Sequence, residues 1–111
     1  MNSMALTILL FIFDYNSKIS MDILFYQIFV KGKVQGVWFR KYTCNEAKRM
    51  GLKGFVKNEV NNSVYIEVEG NSRQLNKFLQ WLYKGSPLSK VSLVEYKHGE
   101  LKHFQTFEIR N

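Results

Sequence analysis

From Phe25 to Lys31 the chain reads FYQIFVK, dense in aromatic and β-branched side chains and halted by Gly32. This is the pattern of a strand set inside a sheet. Residues Gly32 to Val37 carry two glycines and are expected to form a loop. Beyond them Phe39, Thr43, Ala47 and Met50 recur at helical spacing, one face of a helix that Gly51 ends. Gly54 to Asn58 and Ser63 to Glu69 read as two strands, and the asparagines between them suit a hairpin turn with positive φ. In the second of these strands Val64, Ile66 and Val68 share a core face, whereas Tyr65, Glu67 and Glu69 are expected on a wet face.

Asn71 or Ser72 can cap a second helix, whose apolar stripe is Leu75, Phe78, Leu79 and Leu82. Gly85, Ser86 and Pro87 stop it. Val91 to Lys97 and Thr106 to Ile109 are the last strand candidates, with a polar loop holding Gly99 between them. The order is βαββαβ with a short terminal strand. Two helices burying their stripes on one face of an antiparallel sheet give an α+β, ferredoxin-like sandwich. At 111 residues the chain supports one such core and not two.

Met4 to Phe13 (MALTILLFIF) is apolar, but it is about half the ~20 residues a bilayer-spanning helix needs. No basic residue precedes it and no small-x-small cleavage site follows, so it is a poor secretory signal. Residues 1–20 are therefore expected to be an extension, disordered or a start-site artefact with Met21 as the true start, and 21–111 the folded domain.

Composition narrows the chemistry. Sixteen Lys plus Arg against nine Asp plus Glu leave a net charge of +7, which favours anionic partners without choosing among them. Cys44 is the sole cysteine, so an intrachain disulfide and a thiolate-rich metal cage are both excluded and a reducing, cytoplasmic setting is expected. Cys44 itself reads as a helix-face side chain, since no histidine lies near it in sequence. His98 and His103 share neither a helix face nor a strand face and read as surface residues, so no metal site is expected.

The segment Lys31 to Arg40 (KGKVQGVWFR) carries the most information. A strand end, a glycine-bearing loop and a helix start in succession make unpaired backbone N–H groups converge, and the helix dipole adds about half a positive charge there. Arg40 in the first turn can close on the same anion with a forked contact. By itself such a loop also serves as a plain strand-to-helix turn, and its spacing fits neither Gly-x-Gly-x-x-Gly nor the P-loop.

Gly32 to Arg40 (GKVQGVWFR) resembles the acylphosphatase signature Gly-x-Val-Gln-Gly-Val-x-Phe-Arg at every specified position. Gly54, Phe55, Val56, Lys57 and Asn58 resemble a second motif of that family, Gly-aromatic-Val/Ala-basic-Asn, which continues through Val64 to Gly70. The resemblance runs from about Ile23 to Asn111 and departs at Asn62, where the family usually has glycine; asparagine is the next most tolerant of positive φ. It implies a hydrolase that cleaves an acyl phosphate to a carboxylate and inorganic phosphate. By the same resemblance Arg40 and the amides of Val34, Gln35, Gly36, Val37, Trp38 and Phe39 hold the phosphoryl group, and the Asn58 side chain holds the attacking water. Trp38 is expected to pack or to form a pocket lip, and Gln35 to brace the loop.

Such chemistry needs positioning and charge stabilisation more than a covalent nucleophile. An acyl phosphate has a carboxylate leaving group of low pKa that departs without a general acid. No metal and no cofactor are expected, and carbamoyl phosphate, acetyl phosphate and 1,3-bisphosphoglycerate are all admissible substrates. Two other readings share the fold: a non-catalytic anion-binding module, and an RNA-binding module stacking bases on sheet aromatics. Against the latter stand SVYIEVEG in place of the RNA-binding consensus, and Glu67 and Glu69 on the expected wet face. A monomer without nucleic-acid or membrane partners is expected.

Overall fold

The computed structural model describes residues 22–111, so the expectations for residues 1–20 and for Met21 lie outside the described residues. The element order is β1 (Ile23–Lys33), α1 (Phe39–Arg49), β2 (Lys53–Asn58), β3 (Val64–Asn71), α2 (Ser72–Lys84), β4 (Lys90–Gly99) and β5 (Phe107–Arg110). The strands form one sheet in the order β4-β1-β3-β2-β5. The first four strands pair antiparallel, and β5 lies parallel to β2. This is the expected ferredoxin-like α+β sandwich with a terminal strand added at one edge, which makes the sheet mixed.

The even-numbered residues of β1 and β3 build the core. Ile28, Val30, Val64, Ile66 and Val68 are buried against Leu75, Phe78 and Leu82 of α2 and Phe39 and Ala47 of α1. That packing fixes the register, because a slip of one residue would turn each strand's apolar set outward. Asn71 caps α2 reciprocally: its Oδ1 accepts from the Gln74 backbone N–H, and Gln74 Oε1 accepts from the Asn71 backbone N–H.

Strand ends differ from the sequence expectation by one or two residues. β1 continues through Gly32 to Lys33, with an irregularity in its pairing to β4 at Lys31/Gly32, because a bulge lets the strand bend without ending. β4 likewise runs on to Gly99, since its partner β1 carries pairing as far as Phe25. Asn62 stands at φ 67, the left-handed conformation expected of it.

The second sheet face is not wet, which corrects the expectation for Tyr65, Glu67 and Glu69. Glu67 is 6% exposed and Glu69 4% exposed. The segment between β4 and β5 folds over them and brings Phe104 against the rings of Phe25 and Phe55. Its backbone N–H groups at Lys102, His103 and Phe104 donate to the Glu69 carboxylate, at 2.5, 3.2 and 2.8 Å. Lys102 Nζ lies 2.7 Å from Glu67 Oε1, and the Tyr65 hydroxyl donates to Glu67 Oε2 at 2.6 Å. Burial first, and then the bond to Glu67, pushes the Tyr65 phenol pKa far above its usual value.

Hydrogen bonds to a buried charged group are worth about 1.5–3 kcal/mol each, partly offset by its desolvation. Glu69→Gln replaces an acceptor of three N–H groups by a side chain that brings donors of its own. It should lower unfolding free energy by about 2 kcal/mol in urea titration followed by circular dichroism. An unchanged midpoint would mean that the segment is held by its aromatic contacts alone.

Candidate functional site

The loop between β1 and α1 is shaped by three restraints. Gly36 and Trp38 take left-handed φ angles of 71° and 62°, turning the chain sharply into the helix. Gln35 Nε2 donates to the carbonyls of Glu59 and Ser63, at 2.8 and 2.9 Å, and so ties the loop to the turn between β2 and β3. Buried Ser86 donates its hydroxyl to the Val37 carbonyl at 2.7 Å and pins the loop from the far end of α2.

Held in this way by side-chain donors, the loop leaves its own backbone donors over. Among the described residues no backbone carbonyl accepts from the N–H groups of Gln35 to Trp38. Trp38 begins α1 without a side-chain cap, and the first turn of the helix contains no acidic residue. An anion at that end meets free donors, the positive end of the helix dipole and no competing carboxylate.

These groups open onto a cavity of about 480 Å³ lined by Val34, Gly36, Trp38, Phe39, Arg40, Lys41, Asn58 and Ile109. Arg40 Nη1 donates to the Arg110 carbonyl at 3.3 Å and to Asn111 Oδ1 at 3.2 Å. Among the described residues its hydrogen bonds all run through Nη1. The guanidinium is thus anchored through one nitrogen, and its other N–H groups are left without a protein partner among the described residues. Asn58, at the end of β2, lines the same cavity, and its Oδ1 is buried with no hydrogen-bond partner. A buried acceptor left unpaired costs about 1–3 kcal/mol, a cost consistent with a site kept ready for a donor from solvent or ligand.

Of the residues singled out from sequence, Arg40, Asn58, Val34, Gly36, Trp38 and Phe39 therefore meet at one cavity. The side chains of Gln35 and Val37 do not line it, and any contact of these two with a ligand is through the backbone. Phe39 is 1% exposed and its ring belongs to the core, tilted against Trp81. Sequence reasoning missed Lys41, whose position beside Arg40 was signal enough. It also missed Ile109 and the contacts of Arg110 and Asn111 with Arg40, which join positions some 70 residues apart and leave no local trace. Cys44 is buried, with Sγ 3.8 Å from the Phe107 carbonyl, and stands outside the cavity lining.

Among the described residues no group of three or more His, Cys, Asp and Glu side chains could hold a metal ion. Nor is any helix among them long and apolar enough to cross a membrane.

Residues 26–109 match the family model described as acylphosphatase. The acylphosphatase of Archaeoglobus fulgidus is 42% identical over 83 residues, covering 75% of this chain and 93% of that protein. Acylphosphatase-1 of Gallus gallus is 46% identical over 86 residues, covering 73% of this chain and 86% of that protein. The crystal structure of the acylphosphatase from Bacillus subtilis superimposes with a TM-score of 0.78 at 37% identity, covering 79% of this chain and 99% of that one.

Proposed function

Since this chain belongs to the acylphosphatase family and shares its activity, hydrolysis of an acyl phosphate to a carboxylate and inorganic phosphate, we infer that Arg40, the loop amides and Asn58 carry out that reaction. The phosphoryl group sits against the N–H groups of Val34 to Phe39, and Arg40 forks onto its oxygens. The observation that carries this reading is that Arg40 and Asn58, from two separate motifs, line one cavity, with the Asn58 Oδ1 buried and without a hydrogen-bond partner among the described residues.

An acceptor at that point orients a water by taking one of its hydrogens, which turns a lone pair toward phosphorus. Asn58 cannot remove the proton, because a carboxamide is not basic at useful pH. As the water oxygen bonds to phosphorus, the bond from phosphorus to the acyl oxygen breaks and the carboxylate leaves with its electron pair. The proton of the water passes to a phosphate oxygen. A dianionic acyl phosphate and water thereby become one carboxylate and one dihydrogen phosphate ion. Arg40 and the amides stabilise the charge that spreads over the equatorial oxygens, in a site whose dipoles are already aligned.

The polar groups on the lining are backbone amide, guanidinium, ammonium and carboxamide, which suit an anion and offer a divalent cation little. The reading is therefore of a metal-independent hydrolase acting on a small acyl phosphate. Phosphate release from benzoyl phosphate should proceed at an unchanged rate with chelator in excess, and loss of turnover on chelation would overturn metal independence. The second sheet face supports the absence of a nucleic-acid role more firmly than its charge did. Phe25, Phe55 and Tyr65 are buried, the first two against Phe104 of the segment before β5, and offer no open platform for bases. The single cysteine, buried and without a disulfide partner, supports the reading of a reducing, cytoplasmic setting.

A further inference from the structure

Two side chains on the cavity lining have no use in holding phosphate. Trp38 keeps a bulky side chain at φ 62, where an L residue other than glycine, asparagine or aspartate is strained, and it does so at a cap position that Ser, Asp or Asn would serve better. Its indole is nevertheless 70% exposed, so the strain is not offset by burial in the core. Ile109 of β5, 44% exposed, is a second apolar residue on the lining of the same cavity. The left-handed backbone shapes the loop, but glycine or asparagine would give that shape without strain, so an exposed indole kept at this place points to a ligand contact.

We propose that Trp38 and Ile109 form the acyl-group subsite of this enzyme, selecting acyl phosphates whose acyl group has a flat or branched apolar body over those bearing only a methyl or amino group. The proposal rests on the assignment of the phosphate to Arg40 and the loop amides. With the phosphoryl group held by the loop amides and Arg40, the acyl group occupies the rest of the cavity, whose exposed apolar lining is Trp38 and Ile109. A planar acyl group there is offered the indole, and the contact buries apolar area that a methyl group cannot cover.

The test compares kcat/KM for benzoyl phosphate and acetyl phosphate in the wild type, Trp38→Asn and Ile109→Ala. Asparagine tolerates the left-handed backbone, so Trp38→Asn removes the indole without disturbing the turn, and circular dichroism verifies the fold. The ratio of benzoyl to acetyl kcat/KM should fall about fivefold in Trp38→Asn and about threefold in Ile109→Ala, with the change appearing mainly in KM for benzoyl phosphate. A ratio equal to that of the wild type in both variants overturns the subsite, as does an equal loss on both substrates, which would make Trp38 a support of the loop. A wild type inert toward both substrates would instead defeat the assignment of the reaction, and the subsite with it.

Discussion

Replacing Arg40 by alanine should lower kcat/KM for benzoyl phosphate about 10³-fold while leaving the fold intact. The side chain lies on the cavity lining, and its contacts to the Arg110 carbonyl and Asn111 Oδ1 are at the surface, so little packing is lost with it. What is lost is a fixed, forked cation at the transferring group, and charges aimed at phosphoryl oxygens are worth about 10³-fold or more in such reactions. Arg40→Lys should recover only part of this, because an ammonium ion supplies charge without the bidentate geometry. Asn58→Ala should cost about 10²-fold by leaving the water unoriented, and most of that loss should appear in kcat. Steady-state phosphate release, with circular dichroism on each variant, measures all three. If Arg40→Ala kept a tenth or more of the wild-type rate, the phosphate would have to lie elsewhere.

The second large effect is on stability. Gly54→Ala should destabilise the protein by about 4 kcal/mol or more, enough to leave a large fraction unfolded at 37 °C. Gly54 sits in β2 at φ 145, paired with Val68 on one side and Phe107 on the other. A Cβ added there would stand 1.9 Å from the Glu67 carbonyl oxygen, with the Glu67 carbonyl carbon and the Val68 Cα within 3 Å. Those atoms are backbone in the neighbouring strand, so relief requires the two strands to part. Gly36 makes the contrast: its φ is 71° but nothing lies within 4 Å of its added Cβ, and Gly36→Ala should cost only about 1–2 kcal/mol of conformational strain. Urea midpoints of the two variants should therefore differ widely, and equal midpoints would show that close strand approach is not what holds Gly54.

Much of the architecture was legible from the chain because local signals and the fold agree. The alternation of Val64, Ile66 and Val68, the stripe of α2 and the asparagine cap each point to the element that forms. Arg40 and Asn58 could be paired because each ends a recognisable motif at the start of a helix or the end of a strand. Reading Glu67 and Glu69 as solvent-facing failed for a physical reason. Two carboxylates on alternate strand positions look wet unless one knows that three backbone N–H groups and a lysine arrive from some 35 residues away. A polar loop with one phenylalanine gives no warning that it will fold over a sheet. The anchoring of Arg40 by Arg110 and Asn111 was hidden in the same way, because it is created by the parallel docking of β5 onto β2.

That docking has a consequence for how the protein breathes. β5 is four residues long and, among the described residues, paired on one side only, so its amides should exchange with deuterium by a local opening far cheaper than global unfolding. Each such opening withdraws Ile109 from the cavity mouth and releases the guanidinium of Arg40 while the rest of the sheet stays closed. The population competent for turnover is then smaller than the population that is folded, and warming should silence the enzyme some degrees before its helices melt.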